Sequence, residues 1–363
     1  MKTLIANALK LATVAATTAI AFAQPFYTLV ELPTPFGYDF AGPSKINDQG
    51  FVVGSASGAK DPNGSAVVWK NGTVQVLGKL DKGISSLATA INAKGTIVGE
   101  GDDGDYRPLG WILSGGKLVN FFSNNGGNTH PLNINDSGDI GGYYIKGFDS
   151  QWRGAIWKVN AKDPRKSTLI DLPVLPGGDP TTASSVPWAF NQSMQAAGYS
   201  MNSAIGQRAA FWNNDPTHSI VDLGVFGYDW SSLANGLNDI GQAVGSSHPP
   251  FGSRAVLWHN DPAHTAFELP LLPGDNYGSA SLINNDGVIV GLSAYNEPGT
   301  WNTGPSELVI WIEGQVYDAQ SVVRETADGW HIDQISSINN LGQLVGLATR
   351  NGVMHGVILN PIH

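Results

Sequence analysis

Few residues in this chain are equipped for catalysis, and they are scattered. There is no cysteine, which removes thiol nucleophiles, and neither the G-x-S-x-G elbow nor the H-E-x-x-H pair occurs. Eight histidines stand at 130, 218, 248, 259, 264, 331, 355 and 363. Acid–base chemistry would have to be assembled from separate segments. His248, His331, Asp229 and Asp275 are the first candidates for it, with His130 and His355 behind them. Asp102, Asp103 and Asp105 cluster hard oxygens that suit calcium, but their spacing matches no established calcium loop, so no cofactor is expected. The same segment fits the letter of G-x-G-x-x-G, yet no helix pattern follows and its acids would repel a phosphate.

Binding chemistry is better represented. Tyr38, Tyr106, Tyr143, Tyr144, Trp152, Trp188, Tyr228, Trp230, Tyr277, Tyr295, Trp301 and Trp330 lie in variable stretches, several beside Asp or Asn, as in the step Tyr228-Asp229-Trp230. Aromatic faces next to carboxylates and amides are what sugar rings stack and hydrogen-bond upon. Arg107, Arg153, Arg208 and Arg254 each stand four residues before a tryptophan. A partial ring of guanidinium groups would clamp carboxylates of a ligand. The competing reading has each arginine paired with an acid of its own neighbourhood.

The elements that must position these residues follow from an internal repeat. INDQGFVVG, INAKGTIVG, INDSGDIGG, FNQSMQAAG, LNDIGQAVG, INNDGVIVG and INNLGQLVG place asparagines at 47, 92, 135, 191, 238, 284 and 339. Steps of this size suit a four-stranded propeller blade. Small residues before each asparagine suit the innermost strand, and the N-x-x-G turn suits a tight hairpin. A third strand ends in Trp69, Trp111, Trp157, Trp212, Trp258 or Trp311, six of the eleven tryptophans. Their fixed phase marks them as packing between blades. A fourth strand ends in Leu-Pro or Leu-Gly. Residues 26–33, FYTLVELP, match a fourth strand that has no preceding blade, while the last repeat runs out after its third strand near Leu359. The amino-terminal strand therefore completes blade seven and closes the ring. The expectation is an all-β fold with almost no helix: a seven-bladed β-propeller of four antiparallel strands per blade, occupying 24–363 as one domain.

Residues 1–23 read as a signal peptide, with lysines at 2 and 10, a short apolar run and Ala21-Phe22-Ala23 at the cleavage point. The product is expected to be secreted, outside the cell or in a periplasm, with no membrane span. Its net charge of −10 argues against nucleic acid as a partner. High glycine, 45 residues, with 21 prolines agrees with short strands and tight turns.

The pattern of Ser-x-Ala-x-x-Ile-Asn-x-x-Gly-x-Val-Val-Gly, a loop, and an aromatic before tryptophan resembles the HAF extracellular repeat across essentially all of residues 26–360. That family's His-Ala-Phe step is kept only at His355; Ser65, Arg107, Arg153, Arg208, Arg254 and Glu307 replace the histidine. The resemblance implies an exported, propeller-like repeat protein and carries no catalytic residues over. In such a propeller the loops joining fourth to first and second to third strands share one face, which makes that face the expected functional side. The leading expectation is a binding module for an extracellular polysaccharide or protein. The rivals are a secreted hydrolase or lyase with acid and base on different blades, and a structural surface protein.

Overall fold

The computed structural model describes residues 26–104, 107–121, 128–146, 151–177, 179, 182–300 and 302–362. The expected leader, Asp105, Tyr106 and Trp301 lie outside them. The described residues form seven four-stranded antiparallel sheets, each in chain order except one. Blade 1 is typical: Phe40–Ile46, Val52–Gly58, Asp61–Lys70 and Thr73–Gly78. In the exceptional sheet, Phe26–Glu31 pairs with the carboxy-terminal strand Val353–Ile362, placing Leu29 opposite Leu359 and Glu31 opposite Val357. The two ends thus share blade 7, as the orphan fourth-strand motif requires. Among the described residues, helix is confined to one short turn, Ala319–Val322, and a 3-10 segment, Arg324–Asp328, between blades 6 and 7.

The first strands, among them Phe40–Ile46, Ser86–Ile91 and Thr129–Ile134, surround the axis, and the repeat motif is explained by what they do there. Each asparagine puts its amide to use, six of the seven through both the oxygen and the nitrogen. Its Oδ1 accepts the backbone N–H four residues on, for example from Phe51, Thr96 and Gln242. Its Nδ2 donates to the carbonyl of the next blade's asparagine, from 47 to 92, 92 to 135, 191 to 238, 238 to 284, 284 to 339 and 339 back to 47, at 2.9–3.2 Å. Only the link from Asn135 to Asn191 is missing among the described residues. Asparagine is therefore required as donor and acceptor, not for a positive φ. That burden falls on the fourth turn residue: Gly50, Gly95, Gly138, Gly241, Gly287 and Gly342, with Met194 (φ 59°) in blade 4.

Two further motif positions gain reasons. The serine or threonine six residues before the asparagine accepts a backbone N–H from the preceding blade, Ala66 to Ser86, Gly110 to Thr129, Gly154 to Ser185 and Ala209 to Ser232. The motif's last glycine sits where the inner strand bulges toward it. A Cβ at Gly54, Gly99, Gly142, Gly198, Gly245, Gly291 or Gly346 would lie 1.8–2.1 Å from an inner-strand carbonyl oxygen, so no side chain fits.

The six third-strand tryptophans are all buried, as expected of inter-blade core. Trp69, Trp212, Trp258 and Trp311 donate their indole N–H to Pro33, Pro173, Leu223 and Pro270 carbonyls at the end of the preceding blade's fourth strand. Their phase is not uniform, however. Trp69, Trp157, Trp212, Trp258 and Trp311 pair with the residue five after the asparagine, whereas Trp111 pairs with Gly99, seven after it. Blade 2 holds its indole two residues early, and the expectation of six equivalent positions is corrected to five.

Candidate functional site

The same shift removes Arg107 from the arginine ring. Arg153, Arg208 and Arg254 pair with Tyr144, Ser200 and Ser247, each nine after its asparagine. In blade 2 that position is Leu109, opposite Gly101. Arg107 instead pairs with Asp103 at 3.1 Å. The remaining three do not converge on one point. Arg153 donates to the Ala183 carbonyl and to Gln151. Arg208 donates to the Trp230 carbonyl at 2.8 Å. Arg254 holds Glu268 at 2.9 Å, lies 3.4 Å from Asp229 and covers the Phe226 ring. His355 likewise meets Glu31 across the strand pair at 2.9 Å. This position serves mainly to tie loops and outer strands.

Two of those arginines shape the loop between blades 4 and 5. Tyr228-Asp229-Trp230 lies between Arg208, which grips the Trp230 carbonyl, and Arg254, which faces the buried Asp229 carboxylate. The Trp230 backbone N–H donates to the His248 carbonyl at the end of blade 5's second strand. Fourth-to-first and second-to-third loops therefore do meet on one face. The backbone is thus pinned while Tyr228 is fully exposed, at 100%, and Trp230 is 66% exposed. His248 lies beneath, contacting Ser231 through Nδ1 at 3.2 Å and Ser246 through Nε2 at 3.1 Å. Burial lowers its pKa, opposed by the Asp229 charge.

The other expected site residues are dispersed. Tyr38 donates to Asp61 at 3.3 Å beside Lys79 and Ser65. Asp275 accepts the Ser293 hydroxyl at 2.6 Å, and Tyr277 opens the inner strand of blade 6. His331 is exposed on the inner strand of blade 7, 3.1 Å from Asp333, whereas His248 ends the second strand of blade 5; these two histidines are not brought together. Asp102 is buried and accepts from the backbone of Ile84, Ser85 and Gly104 and from the Ser85 hydroxyl. Its oxygens hold a loop. Among the described residues no group of three His, Asp or Glu is placed to bind a metal. Trp330 is buried against His355, so it belongs to the core and not to the loop surface.

A second cluster spans blades 2 to 4. His130 stacks on Tyr143 (centroids 4.5 Å apart, planes at 15°) and its Nδ1 is 3.1 Å from Glu100 Oε1. Tyr143 also stacks on Trp152 and meets Trp188 edge-on, and Trp188 approaches Tyr199. Glu100 further lines a cavity of about 350 Å³ with Ser55, Leu87 and Asp102. Burial, then the Glu100 charge, raises the Tyr143 pKa, and burial pushes Tyr199 up to about 12. The sequence marks His130, Tyr143, Trp152 and Trp188 but misses Glu100 and Tyr199. The only signal is their shared place, eight residues after Asn92 and Asn191, matched by Tyr143 after Asn135.

No family model matches the chain, and no curated protein matches it. Solved structures do. The β-propeller domain of the Trilobed protease from Pyrococcus furiosus, described as having an open velcro topology, aligns with TM-score 0.55 and 10% identity over 90% of this chain and 96% of that one. Oligogalacturonate lyase from Vibrio parahaemolyticus aligns with TM-score 0.54 and 11% identity over 92% and 93%. YCF48 bound to D1 peptide aligns with TM-score 0.54 and 13% identity over 95% and 99%. At these identities the likeness shows the propeller fold alone. In contrast to an open ring, this one is closed by the Phe26–Glu31 strand. No helix among the described residues is long and apolar enough to cross a membrane.

Proposed function

We propose that this propeller is an exported binding module that takes a carbohydrate on its loop-bearing face through Tyr228 and Trp230. The carrying observation is that two large aromatic rings are held out in solvent on a backbone fixed by Arg208 and by the Arg254–Asp229 pair. Apolar rings exposed on a rigid support lose little conformational entropy when a flat apolar ligand face covers them. The test is a glycan array, neutral and acidic, probed with the native chain and with Trp230→Ala. Loss of an aromatic anchor is expected to cost about 2 kcal/mol, roughly 30-fold in affinity, with the melting temperature unchanged. Absence of binding across the array refutes the reading.

The Glu100–His130 couple supports a second reading, a lyase or hydrolase acting on a polymer. A carboxylate contacting one imidazole nitrogen orients the ring and leaves the other for proton transfer, and Tyr143 lies stacked against it. That oligogalacturonate lyase shares the fold is compatible with this. His130→Gln should abolish product release from polyuronate or neutral polymers while leaving Trp230-dependent binding in place; undiminished release rules the couple out.

A further inference from the structure

We propose that the centre of the ring is a binding site for a small carboxylate, held by the Lys45 ammonium. The site is independent of Tyr228 and Trp230. Lys45 lies on the inner strand of blade 1, at the inner-strand bulge and two residues before Asn47. The other blades put Ala90, Asn133, Ala189, Gly236, Leu282 and Ser337 at this place. One blade therefore sets a full charge where its six fellows set neutral and mostly small side chains.

The charge has little to answer it. Lys45 Nζ donates to Asn133 Oδ1, across from blade 1 to blade 3, at 3.2 Å. No carboxylate among the described residues pairs with it; the side chain is partly buried, and the desolvation lowers its pKa. It lines a chamber of about 250 Å³ with Ser44, Thr89, Asn133, Trp188, Asn235 and Ser336. Most of those polar groups are already spent on holding neighbouring blades. Thr89 donates to the Pro131 carbonyl, Asn133 Nδ2 to Trp188, Asn235 to Ala280 and Ser336 to Pro43. An ammonium has three donors, and this one has a single neutral acceptor.

Taking even part of an ammonium's surface out of water has a cost that an opposite charge offsets. At this position a neutral residue would be the cheaper choice, and an anionic ligand supplies what the protein omits. The chamber falls below the roughly 300 Å³ at which sites for drug-sized molecules begin, so the ligand has few atoms. With one cation and no other titratable side chain in the lining, a monoanion balances the charge and a phosphate dianion does not. A carboxylate, with two acceptor oxygens, suits the free ammonium donors. Asp48, Asp136 and Asp239 line the wider mouth of about 380 Å³ that shares Lys45 with the chamber. Each of the three is already engaged with a neighbouring blade's N–H, from Asn340, Ala93 and Gln192. They do not reach in to pair the lysine.

The probe is sodium acetate, titrated into the full-length chain carrying ¹³C-labelled lysine at constant ionic strength against sodium chloride. The Lys45 Cε signal is identified by its loss in Lys45→Met. Acetate is expected to shift that signal saturably, with half-saturation at about 1 mM. At ten times that concentration the pH midpoint of the signal should rise by about one unit, because the anion favours the charged form. Acetate should also raise the melting temperature of the native chain and not of Lys45→Met. If that variant does not fold, the titration of the native chain, with the signal assigned through its coupling to the Lys45 backbone, still decides. No saturable shift up to roughly 100 mM, or an equal shift with chloride, overturns the proposal.

Discussion

Gly245→Ala probes the feature on which the blade depends most directly, the contact of the second strand with the bulge of the first. A Cβ at Gly245 would stand 1.9 Å from the Leu233 carbonyl oxygen and 2.8 Å from the Ala234 Cα. Both atoms are backbone, so no rotamer change relieves the overlap, and the two strands must separate by more than an ångström. Overpacking of this kind costs 1–3 kcal/mol, and each ladder hydrogen bond lost adds about 1 kcal/mol. A total of about 4 kcal/mol is expected. For a folded unit of roughly 340 residues, at about 2.1 cal/mol/K of unfolding entropy per residue, this lowers Tm by about 6 °C. Gly314→Ala is the control, because Gly314 has φ 77° and nothing within 4 Å of its Cβ site. It incurs only the left-handed penalty of about 1–2 kcal/mol, or roughly 2 °C. Scanning calorimetry on both variants makes the comparison. Equal losses would show that close approach does not explain the recurrent glycine.

Other consequences are as direct. Trp258→Phe removes the donor to the Leu223 carbonyl and part of a fully buried ring system, and should lower stability by at least about 1–3 kcal/mol in a denaturant melt. Asn238→Ala should cost about 1 kcal/mol more than Asn135→Ala, because Asn238 Nδ2 reaches Asn284 and Gln242 while Asn135 Nδ2 has no partner; equal losses would discount the axial amide ring. His248 has its folded pKa depressed by burial, so the unfolded chain binds the proton more tightly. Stability is then full above about pH 6.5 and falls as pH drops through that range toward the folded value. His248→Gln should flatten the Tm profile between about pH 7 and 5, and an unchanged slope would refute that role.

The sequence and the structure divide the protein between them in a physically intelligible way. Blade number, strand order and closure were legible because each blade must satisfy the same backbone constraints, so the same residues recur at the same phase. The match of residues 26–33 to a fourth strand needed no coordinates, since an unpaired edge strand and an unpaired end must find each other. The phase of Trp111, and with it the place of Arg107, was not legible. A two-residue slip preserves which face the side chain takes, and so leaves the pattern looking intact.

The sites were decided by the ring. Glu100 and His130 are 30 residues apart, and Lys45 and Asn133 are 88 apart, yet each pair lies within hydrogen-bond reach. No local periodicity records such pairs, because strands of different blades become neighbours only when the blades pack side by side about one axis. The repeated chemistry of one wedge, written in the chain, determined the wheel. The unlike residues that individual blades place at its centre became neighbours only when the wheel closed.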